Sequence, residues 1–203
     1  MAAASAHAEH LETTTGLDNR KVLMWAFLGS DCLFFGSLVA TYLLYHGKSL
    51  VGPYPHEVFN IPYTSVSAFV LLMSSLTMVL ALAAVQRGDL RGLKIWLLAT
   101  ALLGTIFLGG QFFEFSFFVH HGLTLKTNLF GTSFFTLTGF HGLHVAVGVV
   151  ILLSFWVQAV RNKVTPKQHL NIELAGLYWH FVDIVWIVIF TVVYLVEAPN
   201  IVG

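Results

Sequence analysis

Thr138-Gly-Phe-His-Gly-Leu-His-Val-Ala-Val-Gly148 sits in the middle of a long apolar run, Gly131 to Val160, yet carries two histidines and three glycines. A run of that length exceeds the roughly 20 helical residues needed to cross about 30 Å of hydrocarbon. Polar side chains at such depth are tolerated only where they face protein, water or a bound group. The helix must therefore be surrounded, and its neighbours decide the fold. The same pattern recurs at Tyr178-Trp-His-Phe-Val-Asp183.

Working outward, four more apolar runs are long enough to span: Val22–Tyr45, Pro62–Gln86, Leu93–His120 and Leu174–Glu197. The 203 residues are 57% hydrophobic and only 10% charged, against roughly 25% charged in an ordinary soluble domain. Mean hydropathy is +0.79, so lipid is the expected solvent for most of the chain. The runs exceed the ~9–11 residues of a membrane barrel strand and lack strict alternation. The fold expected is an all-α integral membrane protein, a bundle of five transmembrane helices in one domain, 21–203. Its connections carry breakers or charges and are too short for a soluble domain: Gly47–Ile61, Arg87–Gly92, His121–Phe130 and Arg161–Glu173. Residues 1–20 are polar, without a signal peptide's apolar core, and are expected to form a flexible tail. Net charge is zero, which gives no support to nucleic-acid binding. Cys32 is the sole cysteine, which excludes an internal disulfide and a thiolate cluster built from this chain. It reads as a small buried hydrophobe.

Lys and Arg set the expected orientation. Arg20, Lys21, Arg87, Arg91, Lys94, Arg161, Lys163 and Lys167 fall on one side, and only Lys48 and Lys126 on the other. The positive-inside bias then puts the N-terminus in the cytoplasm and the C-terminus outside. Trp25, Trp96, Trp156 and Trp179 read as indoles near the cytoplasmic helix ends, which suits the interface.

On the fifth helix, with Asp183 at zero, Gly176, His180, Ile187, Thr191 and Tyr194 project between about 20° and 80°. An aliphatic arc opposite is free to meet lipid. A lone carboxylate is costly at this depth, so Asp183 needs a donor or a proton, and His180 stands three residues away on the same stripe. On the fourth helix Gly139, Gly142 and Ala146 form a small face that admits a close neighbour, while His141 and His144 point the other way. That leaves no obvious lipid face. The histidines and Asp183 lie at similar depth, about 15 Å in from their helix ends, so a buried network between helices four and five is expected. Asp31 sits near the middle of the first helix, on a face with Met24, Phe35, Leu38 and Tyr42. Gln111 and Glu114, at i and i+3 on the third, read as an interfacial hydrogen-bonding pair.

Two histidines at i and i+3 can ligate a metal or haem, but the preferred reading is hydrogen-bonded packing. Asp31 reads first as a buried hydrogen-bonded acid, then as a proton-handling group, then as a lipid or partner contact. His180 with Asp183 reads as a structural clamp. His7, His10, His120 and His121 are expected to be solvated. There is no phosphate loop, no activated Ser or Cys arrangement and no series of histidine boxes. The residues alone rank a membrane-embedded partner subunit first, a small proton-coupled carrier second, and a haem or metal protein third.

Phe130-Gly-Thr-Ser-Phe-Phe-Thr-Leu-Thr-Gly-Phe-His-Gly-Leu-His-Val-Ala-Val-Gly148 and Tyr178-Trp-His-Phe-Val-Asp-Ile-Val-Trp-Ile-Val-Ile-Phe190 closely resemble subunit III of the haem–copper oxidases. Gln111 with Glu114, and Leu71-Leu-Met-Ser-Ser75, resemble the corresponding helices of that family. Members usually carry Ser-Glu where this chain has Ser30-Asp31, so the carboxylate sits one methylene nearer the backbone. Many members have seven helices, the first two forming one arm of a lipid-filled cleft, and this chain resembles the last five. The resemblance implies a non-catalytic subunit without redox cofactors or metal of its own, packed against catalytic subunit I and other oxidase subunits. There haem and copper reduce dioxygen to water while protons are pumped. It also implies bound phospholipids, a lipid-lined oxygen route, support for proton uptake, and a multi-pass place in a bacterial inner membrane. The Tyr178-Trp179-His180 form is more similar to the cytochrome c branch than to the quinol branch. On this reading the fourth-helix histidines and the fifth-helix stripe form an internal brace, and Asp31 faces the lipid cleft or subunit I.

Overall fold

A computed structural model describes residues 18–49, 52, 60–163 and 169–195. Among them lie five helices: α1 Asn19–Tyr45, α2 Ile61–Gln86, α3 Leu90–His120, α4 Leu129–Val160 and α5 His169–Ile189, with α5 continued by a π-helical turn, Phe190–Leu195. No strand occurs among the described residues. All five are long and apolar enough to cross a membrane, as the apolar runs required. Residues 1–17 of the expected tail, with His7 and His10, lie outside the described residues, and Arg20 is already helical.

Each helix begins a few residues before its apolar run, because the chain starts helices with polar caps. Asp18 Oδ1 accepts Arg20 N–H at 2.8 Å, Asn60 Oδ1 accepts Tyr63 N–H at 3.2 Å, and Asn128 Oδ1 accepts Gly131 N–H at 2.7 Å. Asp89 Oδ1 accepts both Arg91 and Gly92 N–H, at 3.1 and 3.0 Å. These side chains satisfy amides that no helical carbonyl can reach. The exits are equally regular. Gly88 (φ 73°) and Gly122 (φ 84°) follow the C-caps of α2 and α3 in the left-handed region, and Asn162 (φ 52°) does the same after α4. The next amide in each case folds back onto the helix: Asp89 N–H to Ala84 O, Leu123 N–H to Phe118 O and Lys163 N–H to Gln158 O.

Helices α2, α3, α4 and α5 pack in a ring in that order, closed by α5 against α2, while α1 lies in the groove between α4 and α5. Trp179 is the centre of the ring. Its side chain comes from α5 and its indole N–H donates to Ser74 Oγ of α2 at 3.0 Å. A Cβ placed on Gly104 of α3 would lie 2.5 Å from this ring, and one on Gly148 of α4 would lie 2.8 Å away. All four helices therefore meet at one indole. This corrects the interfacial expectation for Trp179, which is 1% exposed. The polar start His169–Glu173 is helical, so Trp179 lies ten residues in, about 15 Å from the end. Trp25 does lie on the surface. Below Trp179 the core continues as aromatic rings, with Phe107 edge-on to Trp186 at 4.8 Å.

The outer faces are apolar too, as a lipid solvent permits. On α4, Phe140, Leu143, Val147, Val150, Leu153 and Val157 form one exposed stripe, so this helix has the free face that its sequence did not reveal. Cys32 is exposed on α1 and is not a core residue.

Candidate functional site

The acids and histidines singled out above separate into four places. The first joins α1 to α4. Asp31 Oδ2 lies 3.5 Å from His144 Nε2, with the two side chains 14% and 18% exposed. His144 Nδ1 is 2.7 Å from Phe140 O. A carbonyl only accepts, so Nδ1 carries the ring proton. At 3.5 Å the carboxylate and the imidazole are in contact, and Asp31 Oδ2 makes no hydrogen bond among the described residues. Tyr178 O–H of α5 donates to His144 O at 3.0 Å, and the Phe35 ring stands edge-on to the imidazole at 5.0 Å. Asp31 thus lies on the buried face of α1, among Phe35 and Tyr42 as its spacing implied. Beside this pair opens a groove of about 540 Å³ between α1, α4 and α5, walled by Met24, Phe27, Leu143, Val147 and Tyr178.

The second place joins α5 to α2. Ser75 Oγ and His180 Nδ1 are 2.7 Å apart, and Asp183, 5% exposed, shares the cluster with one carboxylate oxygen left without a partner. A hydroxyl from α2 therefore serves both α5 side chains, where a clamp within α5 was expected.

The third place gathers α2, α3, α4 and the end of α5. Thr64 O–H donates to Glu114 Oε1 at 2.7 Å, and Gln111 Nε2–H donates to Thr138 O at 2.8 Å. Tyr194 also bonds Glu114. Glu114 and Gln111 are both buried between helices and bond different partners, which corrects the expectation that they pair with each other. Phe112 and Phe113 take the outward face of α3 in their place. The π-turn moves Tyr194 inside and leaves Thr191 exposed, with its hydroxyl on Ile187 O at 2.8 Å. A regular helical wheel had put both on one stripe.

The fourth place is His141. It is fully buried, stacked on Trp186 at 5.0 Å and edge-on to Phe107 at 6.0 Å, and neither ring nitrogen has a partner. His141 and His144 therefore diverge, one into the aromatic core and one toward α1. Among the described residues no three His, Cys, Asp or Glu side chains converge as a metal would require. The brace between the α4 histidines and the His180–Asp183 stripe is not formed. Helix α4 reaches α5 through Trp186 and Tyr178 instead. The small face of α4 is also used differently: a Cβ on Gly142 would lie 2.7 Å from Gln111 Oε1, while one on Gly139 would meet open space. The gap admits a side chain and not a neighbouring backbone. His120 and His121 are exposed, His121 with Nδ1 2.9 Å from Phe117 O.

The participants that sequence reasoning passed over are Ser75, Thr64, Thr138, Tyr178 and Trp186. Hydroxyls and indoles in apolar runs carry little signal, since Ser and Thr bond their own helix in most positions. Only the acids they serve pointed to a need for donors.

Comparison with known proteins gives a consistent result. A family model described as cytochrome c oxidase subunit III matches residues 13–198. Quinol oxidase subunit 3 of Bacillus subtilis (strain 168) is 37% identical over 196 residues, covering 93% of this chain and 96% of the relative. Cytochrome c oxidase subunit 3 of Bacillus sp. (strain PS3) is 39% identical over 177 residues, covering 87% and 86%. Cytochrome bo(3) ubiquinol oxidase subunit 3 of Pseudomonas aeruginosa is 38% identical over 174 residues, covering 86% and 83%.

Proposed function

The chain belongs to the cytochrome c oxidase subunit III family, and from that premise we propose that it is the non-catalytic third subunit of a proton-pumping terminal oxidase. In this reading haem and copper reside in partner subunits, and this chain stabilises subunit I while supporting lipid, oxygen and proton access to it. The observation that carries the reading is the Asp31–His144 pair, a carboxylate–imidazole contact within the helix bundle beside an apolar groove. Such a pair is costly in lipid unless it serves a partner or a proton route. The location proposed is a bacterial inner membrane, with the N-terminus cytoplasmic on the strength of the Lys and Arg bias.

The relatives named for cytochrome c and for quinol stand at nearly equal identity, 39% and 37%, so likeness alone does not choose the donor. The Tyr178-Trp179-His180 form supports cytochrome c. The experiment is purification in mild detergent, with the optical spectrum and donor oxidation measured on whatever co-purifies. A haem-bearing assembly that oxidises reduced cytochrome c is expected. A chain that leaves the membrane without any haem-bearing partner would overturn the subunit reading, whereas oxidation of quinol alone would overturn only the donor. Within that assembly, Asp183→Ala should hasten the loss of activity during turnover and leave the haem bands intact. Loss of a haem band in that variant would contradict a purely supporting role.

A further inference from the structure

The connection from α3 to α4 frames a second groove, of about 600 Å³, lined by none of the acids and histidines of the four polar places. Phe112 and Phe115 of α3 and Phe135 of α4 line its wall, and Phe115 meets Phe135 edge-on at 5.0 Å. Phe112 is 75% exposed, so this wall opens outward to lipid. His120 and Lys126 stand at the mouth. From Phe112 to His120 the helix rises about 12 Å, close to the roughly 15 Å of one hydrocarbon leaflet.

The mouth carries the Lys126 ammonium, with no acid beside it among the described residues. Among the described residues neither the Lys126 ammonium nor the His120 ring has a side-chain partner. No acid occurs between Glu114 and Glu173, and Glu114 is turned into the core on Thr64. The connection is nevertheless ordered by its own bonds. Thr124 and Thr127 hydroxyls lie 2.7 Å apart, Thr127 O–H donates to Gly122 O at 2.9 Å, and Thr132 O–H donates to Leu125 O at 2.7 Å. These bonds hold the lysine's backbone over an aromatic wall. A ligand that complements both must be amphiphilic, with an acyl chain for the rings and a negative head for the ammonium.

We propose that this groove binds an anionic phospholipid, with its phosphate on Lys126 beside His120 and an acyl chain along Phe112, Phe115 and Phe135. The inference needs only the membrane spans and not the oxidase assignment, so either can fail without the other.

The test is native mass spectrometry of the full-length chain with whatever it co-purifies with, in mild detergent, titrated with phosphatidylglycerol or with phosphatidylcholine. Wild type should retain one tightly held phosphatidylglycerol that phosphatidylcholine does not replace. Lys126→Gln should weaken that binding about fivefold, the share of one basic side chain at a membrane surface, and Lys126→Arg should keep it. Val119→Glu, which places an acid in the groove, should abolish it. Equal phosphatidylglycerol binding by wild type and Lys126→Gln would overturn the proposal, as would equal uptake of the two lipids by wild type. Binding by the isolated chain that disappears in the co-purified assembly would assign the groove to a protein partner and also overturn it.

Discussion

Replacing Trp179 by alanine empties the point where four helices meet. In lipid the usual transfer gain is small, because the acyl chains are as apolar as the core. What remains is the cavity, roughly 140 Å³ of side chain at ~24 cal/mol per Å³, or about 3 kcal/mol. The lost bond to Ser74 adds about 1 kcal/mol. Gly104→Ala probes the same point from the other side, since its new methyl would begin 2.5 Å from the indole. The ring has little room to move: Gly148 already receives its neighbouring Cε3–Cζ3 edge, and its N–H is fixed on Ser74. Overpacking of this kind costs about 1–3 kcal/mol. In the double variant the methyl enters the emptied space, so the combined cost should fall short of the sum by about 1 kcal/mol or more. Unfolding equilibria in mixed micelles titrated with dodecyl sulfate measure all three. If Trp179→Ala lies within about 1 kcal/mol of wild type, or if the two changes simply add, the indole is not the centre of the ring.

Three more outcomes are expected. Glu114→Ala should destabilise by about 1–3 kcal/mol by leaving Thr64 and Tyr194 without their acceptor, while Glu114→Gln stays within about 1 kcal/mol; thermal unfolding in detergent separates them. Gly142→Ala should push the Gln111 amide off Thr138 O and cost about 1–3 kcal/mol. Adding Gln111→Ala should recover part of that cost in the same micelle titration. Asp31→Ala removes the carboxylate facing His144 and should speed amide exchange in α1 by roughly 5–30-fold, equivalent to about 1–2 kcal/mol of local opening. Exchange in α2 and α3 should stay unchanged, and uniform acceleration would show that Asp31 supports the whole bundle and not one helix.

The five spans were legible because hydrocarbon imposes length and composition directly on the sequence. The buried face of α1 was legible for a related reason: Asp31, Phe35 and Tyr42 recur at helical spacing, and a carboxylate excludes the lipid side. Partnership was not legible. A helical wheel gives a side chain's direction about its own axis but not which neighbour stands there. His144 therefore found Asp31 113 positions earlier, and His180 found Ser75, although both had been directed at each other's helices. Gly142 was read as room for a backbone and holds a glutamine side chain. Two further misses came from the two ends of α5. Apolar runs hide the polar first turn of α5, which set Trp179 too near an interface, and nothing in Phe190–Leu195 announced the π-turn that carries Tyr194 inward.

The docking of α1 bears on how the chain is assembled during synthesis. Of the five described helices it leaves the ribosome first, yet its seat is the groove between α4 and α5, which come after the other two. Helix α2 offers it no comparable surface. The hairpin of α2 and α3 can pair as soon as it is inserted, but α1 must wait alone in the bilayer until the ring closes around Trp179. During that interval Asp31 is without His144, and an acid exposed to hydrocarbon is costly. Of these five spans the earliest made is thus the last placed, and a chain stalled before α5 would leave α1 with half its seat missing.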